Sequence, residues 1–189
     1  AGEIAEILLL QIKTILECDK DMVGGEFVVQ SPNVNTNKVF QKLEPLLKKN
    51  DIPAKYFMTN DGNGNQKTID LDELKEDNCS KCGKRFAKKH QKCKKCGELR
   101  KRDKIALISG HGFKGGERTS IHTFGVSEYS CPRPNHPGTP NELADISLIG
   151  VMGSRSQKYS FLGGNHLPSR YITNNMEKLS NVMYLVQDY

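Results

Sequence analysis

Apolar residues first recur at helical spacing. Ile4, Ile7, Leu8, Leu10, Ile12, Ile15 and Leu16 predict an amphipathic helix over residues 3–17 with a broad apolar stripe. Residues 19–25 turn the chain, and Glu26-Phe27-Val28-Val29-Gln30 is a short apolar run suited to a buried strand, closed by Ser31-Pro32-Asn33. Over residues 36–49, Val39, Phe40, Leu43, Leu46 and Leu47 again share one helical face, and Pro45 inside that pattern is a candidate kink. Pro53 ends the linker, and residues 54–59 read as the next strand. Strand, helix and strand joined by short links form the βαβ unit of a parallel sheet.

The pattern then breaks. Asp61-Gly62-Asn63-Gly64-Asn65 is a loop, and the acidic stretch 70–77 predicts a short helix. Ile105-Ala106-Leu107-Ile108 is a third buried strand, ending at Ser109-Gly110-His111-Gly112. Residues 130–140 hold four prolines and form an irregular excursion. Beyond it, 144–153 predicts a helix, 169–173 a strand and 175–185 a closing helix. No long internal repeat is evident. The division expected is an α/β body in two parts, 1–74 and 105–189, with a small module at 75–104 inserted between two strands of one sheet.

That module carries the strongest motif. Cys79 and Cys82, then Cys93 and Cys96, are two Cys-x-x-Cys pairs with ten residues between them, each followed by glycine, Gly83 and Gly97. Each pair lets two thiolates from one tight turn reach one metal, and two such turns make the closed tetrahedral shell of a structural zinc, with Zn–S near ~2.3 Å. The other reading, two disulfides or a redox pair, lacks an oxidoreductase-like strand-and-helix frame around the cysteines. Cys18 and Cys131 are left as free thiols. Cysteines in metal spacing suggest a reducing compartment, cytoplasm or nucleus.

Charge sharpens the picture. The 189-residue chain has a net charge of +6, yet from Lys81 to Lys104 there are twelve Lys or Arg against Glu98 and Asp103, so the remainder is acidic on balance. A knot of like charge on a rigid metal core is a candidate phosphate-binding surface, with Lys84, Arg85, Lys88, Lys89, Lys94 and Lys95 as its contacts. Nucleic acid, DNA or RNA, is the expected partner. No apolar run spans a bilayer, because Gln11 and Lys13 interrupt the first helix's stripe. The first residue is Ala1 rather than methionine, which suggests a processed product or a piece of a longer polypeptide.

Several enzyme classes find no support. His111 at a strand end has a superficial likeness to the histidine turn of caspase-like proteases, but Cys131, its only downstream cysteine, lies in the proline-rich loop. His90, His111, His122, His136 and His166 show no His-Glu-x-x-His spacing, and the glycine-rich stretch 113–120 lacks the Gly-Lys-Ser/Thr ending that cradles a triphosphate.

The order of elements says more than any one motif. The strand Val28 to Asn33, the stretch Ala106-Leu107-Ile108-Ser109-Gly110-His111-Gly112-Phe113-Lys114-Gly115-Gly116-Glu117 and the stretch Gly150-Val151-Met152-Gly153-Ser154-Arg155-Ser156-Gln157-Lys158 resemble the fourth, fifth and sixth motifs of the second RecA-like lobe of superfamily-two helicases. The sixth motif is usually Gln-x-x-Gly-Arg-x-x-Arg. Here Gly150 stands in place of glutamine, Ser154 separates Gly153 from Arg155, Lys158 replaces the last arginine, and Glu117 replaces an aspartate in the fifth motif. The resemblance implies a RecA-like parallel sheet flanked by helices and an ATP-dependent motor. ATP and Mg2+ would then be bound only together with a preceding lobe. It makes Arg155 a candidate arginine finger, Gly116, Glu117 and Lys158 candidate nucleotide-cleft residues, and Ser31 a backbone-phosphate contact. A non-enzymatic zinc-ribbon module that binds nucleic acid or docks into an assembly is the alternative.

Overall fold

The computed structural model describes residues 1–32, 37–58, 70–86, 90–109, 118–126 and 155–163, together with Ser147 and Met152. Its centre is a sheet of five parallel strands: β1 (Phe27–Ser31), β2 (Ala54–Tyr56), β3 (Ile105–Ser109), β4 (Arg118–Phe124) and β5 (Ser156–Gly163). They lie in the order β2-β3-β1-β4-β5, so β1 occupies the middle. Its neighbours are in register through Val29↔Leu107 and Val29↔His122. Parallel strands buried on both faces carry continuous apolar runs. Phe27-Val28-Val29 and Ile105-Ala106-Leu107-Ile108 do so, and β1 and β3 are buried at every position.

Two helices cover one face. Helix α1 (Gly2–Cys18) buries Ala5, Leu8, Ile12 and Ile15, and helix α2 (Asn37–Lys49) packs beside it with Val39, Phe40, Leu43 and Leu47 inward. Beneath them sit Phe27 and Val29 of β1, Ile105 and Leu107 of β3, and Phe124 of β4. The apolar stripe of α1 is narrower than the spacing implies, because Ile7 and Leu10 are 50% and 66% exposed while Leu9 turns toward the core. Pro45 is accommodated inside α2. Past the helix end Asp51 takes a left-handed conformation (φ 58°) and the Ile52 amide donates back to the Leu47 carbonyl at 3.0 Å, the pattern that closes many helices.

The opposite face has its own apolar layer: Val28, Ala106, Ile108 and Ile121 from the sheet, capped by Phe57 and Leu74. Leu74 closes a single 3₁₀ turn, Leu71–Leu74, which stands where the acidic stretch predicted a short helix and is capped by the Asp70 side chain on the Asp72 amide at 2.9 Å. Between β1 and β4 on this face, the buried Gln30 amide donates to Thr123 Oγ1 at 3.1 Å and to the Met152 carbonyl at 3.0 Å. Ser147 and Met152 are helical, in line with the helix expected over 144–153. The strand and helix expected at 169–173 and 175–185 fall outside the described residues.

Candidate metal centre and basic module

The module between β2 and β3 consists of two knuckles that repeat one hydrogen-bond pattern fourteen residues apart in sequence. In the first, the Cys79 amide donates to Lys84 O at 2.9 Å, the Gly83 amide to Cys79 O at 2.8 Å and the Phe86 amide to Asp77 O at 2.9 Å. In the second, Cys93 donates to Glu98 O, Gly97 to Cys93 O and Arg100 to Gln91 O, each at 2.8 Å. Isolated antiparallel bridges, Asn78↔Arg85 and Lys92↔Leu99, fall at equivalent places. The turns need glycine for its backbone freedom: Gly83 and Gly97 have φ of 70° and 74°, with open space where a Cβ would stand.

Folding the two knuckles together brings all four sulfurs within 4.8 Å of one another. Across the knuckles, Cys79 Sγ and Cys96 Sγ are 3.5 Å apart, as are Cys82 Sγ and Cys93 Sγ. The edge of a tetrahedron built on ~2.3 Å Zn–S bonds is about 3.8 Å, inside that spread, so the four thiolates fit one tetrahedral ion. The electrostatics also suit a dication. Backbone amides of Cys96 and Lys95 aimed at Cys93 lower its thiol to about 6. Against the Glu98 amide, which favours its thiolate, desolvation and the three neighbouring sulfurs push Cys96 up to about 12. Four thiols this close resist ionising together until a cation joins them. The four cysteines are thus positioned to hold one metal ion. Phe86 packs on Cys79 and Cys93, and the Arg100 guanidinium lies over its ring at 5.5 Å while Nε donates to Glu76 O at 2.7 Å. The Phe86–Arg100 pair was not singled out in the sequence; its signal is that the two residues occupy equivalent places in the repeat.

A narrow stalk roots the module in the sheet. Lys75 and Arg102 pair across an antiparallel bridge, and the Glu76 amide donates to Lys101 O at 2.9 Å. The amides of Asp103 and Lys104 both donate to Leu74 O at 3.1 Å, and Lys104 Nζ reaches Lys75 O and Asp77 Oδ2, each at 2.9 Å. Ile105 follows at once and starts β3, so the stalk leaves from the amino edge of the sheet. At that edge Gly24 and Gly25 lie so close under the stalk that a Cβ on either would collide with the carbonyl oxygen of Asp103 or Arg102. Burial raises the Asp103 carboxyl, and Lys104 beside it only partly offsets this.

Apart from Arg100 over Phe86, the module's described cations divide into two groups. Lys75, Lys101 and Lys104 are ion-paired with Asp72, Glu98 and Asp77. Lys81, Lys84, Arg85, Lys92, Lys94, Lys95 and Arg102 are exposed and stand outside any ion pair among the described residues. Lys88 and Lys89 lie outside the described residues.

The residues singled out by the helicase likeness are scattered. Ser31 is buried at the carboxyl end of β1, in register with Ser109 at the end of β3. Arg155 lies at the other edge, where its carbonyl accepts the Arg118 amide at 3.2 Å just before β5 begins. Lys158, on β5, holds Asp19 at the end of α1 at 2.6 Å, with Tyr159 donating to the same carboxylate at 3.1 Å. That lysine lowers the Asp19 carboxyl. Gly116 and Glu117 fall in the link from β3 to β4, outside the described residues. Free thiols include the exposed Cys18; Cys131 and His111 are not among the described residues. No helix among the described residues is long and apolar enough to cross a membrane. No family model and no curated protein matches the chain.

Proposed function

We propose that the chain binds nucleic acid through a zinc-held basic module and that its α/β body is the second motor lobe of an ATP-dependent helicase or translocase. The observation that carries the binding half is the exposed set of cations without acidic partners on a metal-organised scaffold. A surface kept basic only for solvation interleaves opposite charges; here the acids serve the stalk and the tips remain positive. Zinc is the metal assigned to the four thiolates, since an all-thiolate tetrahedron with no open position is its structural site. In the zinc-loaded chain, affinity for nucleic acid falls steeply as salt is raised, because each neutralised phosphate releases counterions. Reversing Lys84 and Arg85 to glutamate weakens binding at least tenfold with the metal retained. Unchanged binding in that variant would refute the patch.

The motor half rests on the parallel sheet and on the register Ser31↔Ser109, which sets side by side the ends of the two strands that resemble the fourth and fifth motifs. In open α/β sheets ligands bind outside the carboxyl ends of strands. That edge is the one expected to close over a nucleotide held by a first lobe. Arg155 lies on the opposite, amino edge, so a nucleotide held at the carboxyl edge does not meet it, and the finger assignment stands only if the first lobe docks its phosphates at the amino edge instead. Nucleic-acid-stimulated ATP hydrolysis in the natural polypeptide tests this reading. Hydrolysis that survives Arg155→Ala excludes the arginine as finger.

A further inference from the structure

The basic module has almost nothing for a base to stack on. Between Lys75 and Lys104 the sequence holds two rings, Phe86 and His90. Phe86 is 8% exposed, packed on Cys79 and Cys93 with the Arg100 guanidinium over its ring. Only His90 offers a ring to solvent. Proteins that hold single strands combine a basic groove with aromatic platforms on which successive bases lie, and a module without platforms forgoes that contribution.

Nor does the module carry an element that would enter a groove and aim its arginines at base edges. Major-groove readout uses an inserted helix or β-ribbon and planar groups such as the arginine fork. The described residues of the module contain turns and isolated bridges and no helix. Its exposed unpaired cations are mostly lysines, compact point charges that attract phosphate without selecting a base. A duplex presents one phosphate charge per ~1.7 Å of axis, about twice the density of one of its strands. RNA duplexes are recognised largely through 2′-hydroxyls. That favours neutral donors and acceptors, which are few here beside the cations: Gln91 is already engaged by Lys75 at 2.6 Å, leaving Asn78 and Ser80 exposed.

Resting on the nucleic-acid reading above, we infer that the module grips the phosphate backbone of duplex DNA, prefers duplex to single strand and is blind to sequence. The two knuckle tips are the contacts, Lys81, Lys84 and Arg85 from the first and Lys94 and Lys95 from the second.

The test uses the zinc-loaded chain and fluorescence anisotropy on four labelled probes of about 20 nucleotides or base pairs: a mixed-sequence DNA duplex, a scrambled duplex, one strand of the first, and the matching RNA duplex. The mixed DNA duplex is expected to bind at least fivefold more tightly than its single strand at equal salt, and the scrambled duplex to match it within twofold. Lys94→Ala with Lys95→Ala, checked for one equivalent of retained zinc, is expected to reduce the steepness of log K against log salt by about 1.8, roughly 0.9 for each lost phosphate contact. His90→Ala is expected to change affinity less than twofold. A single strand bound as tightly as the duplex, or a strong loss with His90→Ala, would overturn the duplex preference while leaving nucleic-acid binding intact. An RNA duplex bound as tightly as DNA would overturn the choice of DNA. No binding to any probe at low salt would remove the nucleic-acid reading itself.

Discussion

His122 is completely buried on β4, its ring stacked 4.5 Å from Phe161 and 6.0 Å from Phe27. Gln11 Oε1 on α1 lies 3.1 Å from Nδ1 and Ser120 Oγ 3.0 Å from Nε2, so Nδ1 carries the proton and the serine donates to Nε2. Burial pushes the imidazole down to about 3. The unfolded chain takes up that proton near pH ~6.5. Between those values the unfolded state binds more protons than the folded one, so acidification costs folding stability, at most about 1.4 kcal/mol per pH unit from this group. Urea unfolding at pH 7 and pH 5 is expected to show a smaller acid loss in His122→Gln than in the parent; equal losses would exclude His122 as the source. Cys93→Ser is expected to lose the bound metal and with it most of the module's order, since metal binding contributes about 10 kcal/mol or more in isolated modules of this kind. One equivalent of metal retained in that variant contradicts the ligand set.

At the scale of elements, what the sequence announced and what it hid have a common physical cause. Strands β1, β2 and β3 and both helices are legible because their buried positions are mostly apolar, and the spacing of Cys79, Cys82, Cys93 and Cys96 announces the four sulfurs that the fold gathers. No strand is expected from the sequence over β4 or β5, where only the glycine-rich stretch 113–120 and the sixth-motif likeness of 150–158 overlap them. In β4 three of the core positions, Ser120, His122 and Thr123, lie between the apolar Ile121 and Phe124 or beside them and are buried because they bond to each other, to Gln11 and to Gln30, and hydropathy does not register such pairs. Strand β5 is an edge strand, half exposed, with Lys158 and Ser160 among its positions. The stalk was hidden for a different reason: the need for Gly24 and Gly25 arises from a stretch almost eighty residues further along the chain. Gly24→Ala or Gly25→Ala is therefore expected to destabilise the protein by about 2 kcal/mol or more through backbone collision. Gly83→Ala, which meets no neighbour, is expected to cost only about 1 kcal/mol for its positive φ. Thermal or urea unfolding of the three variants ranks them, and a Gly83 variant worse than both others would reverse the argument.

For the whole molecule, the helix-covered core and the cysteine cluster are separate sets of buried residues. The helices α1 and α2 and their face of the sheet share no buried residue with the cysteine cluster. Metal removal by a chelator is accordingly expected to abolish amide protection around the knuckles while the helical circular dichroism changes little; collapse of the helical signal together with the metal would show one cooperative unit instead. Because Lys75 and Arg102 face each other across a single antiparallel bridge, the chain enters and leaves the module through a gap that a two-residue hairpin turn can close. Residues 76–101 are then a cassette: replaced by Asn-Gly, they should leave behind a sheet that melts within a few degrees of the parent, and grafted onto another hairpin they should carry their metal and their charge to a new host.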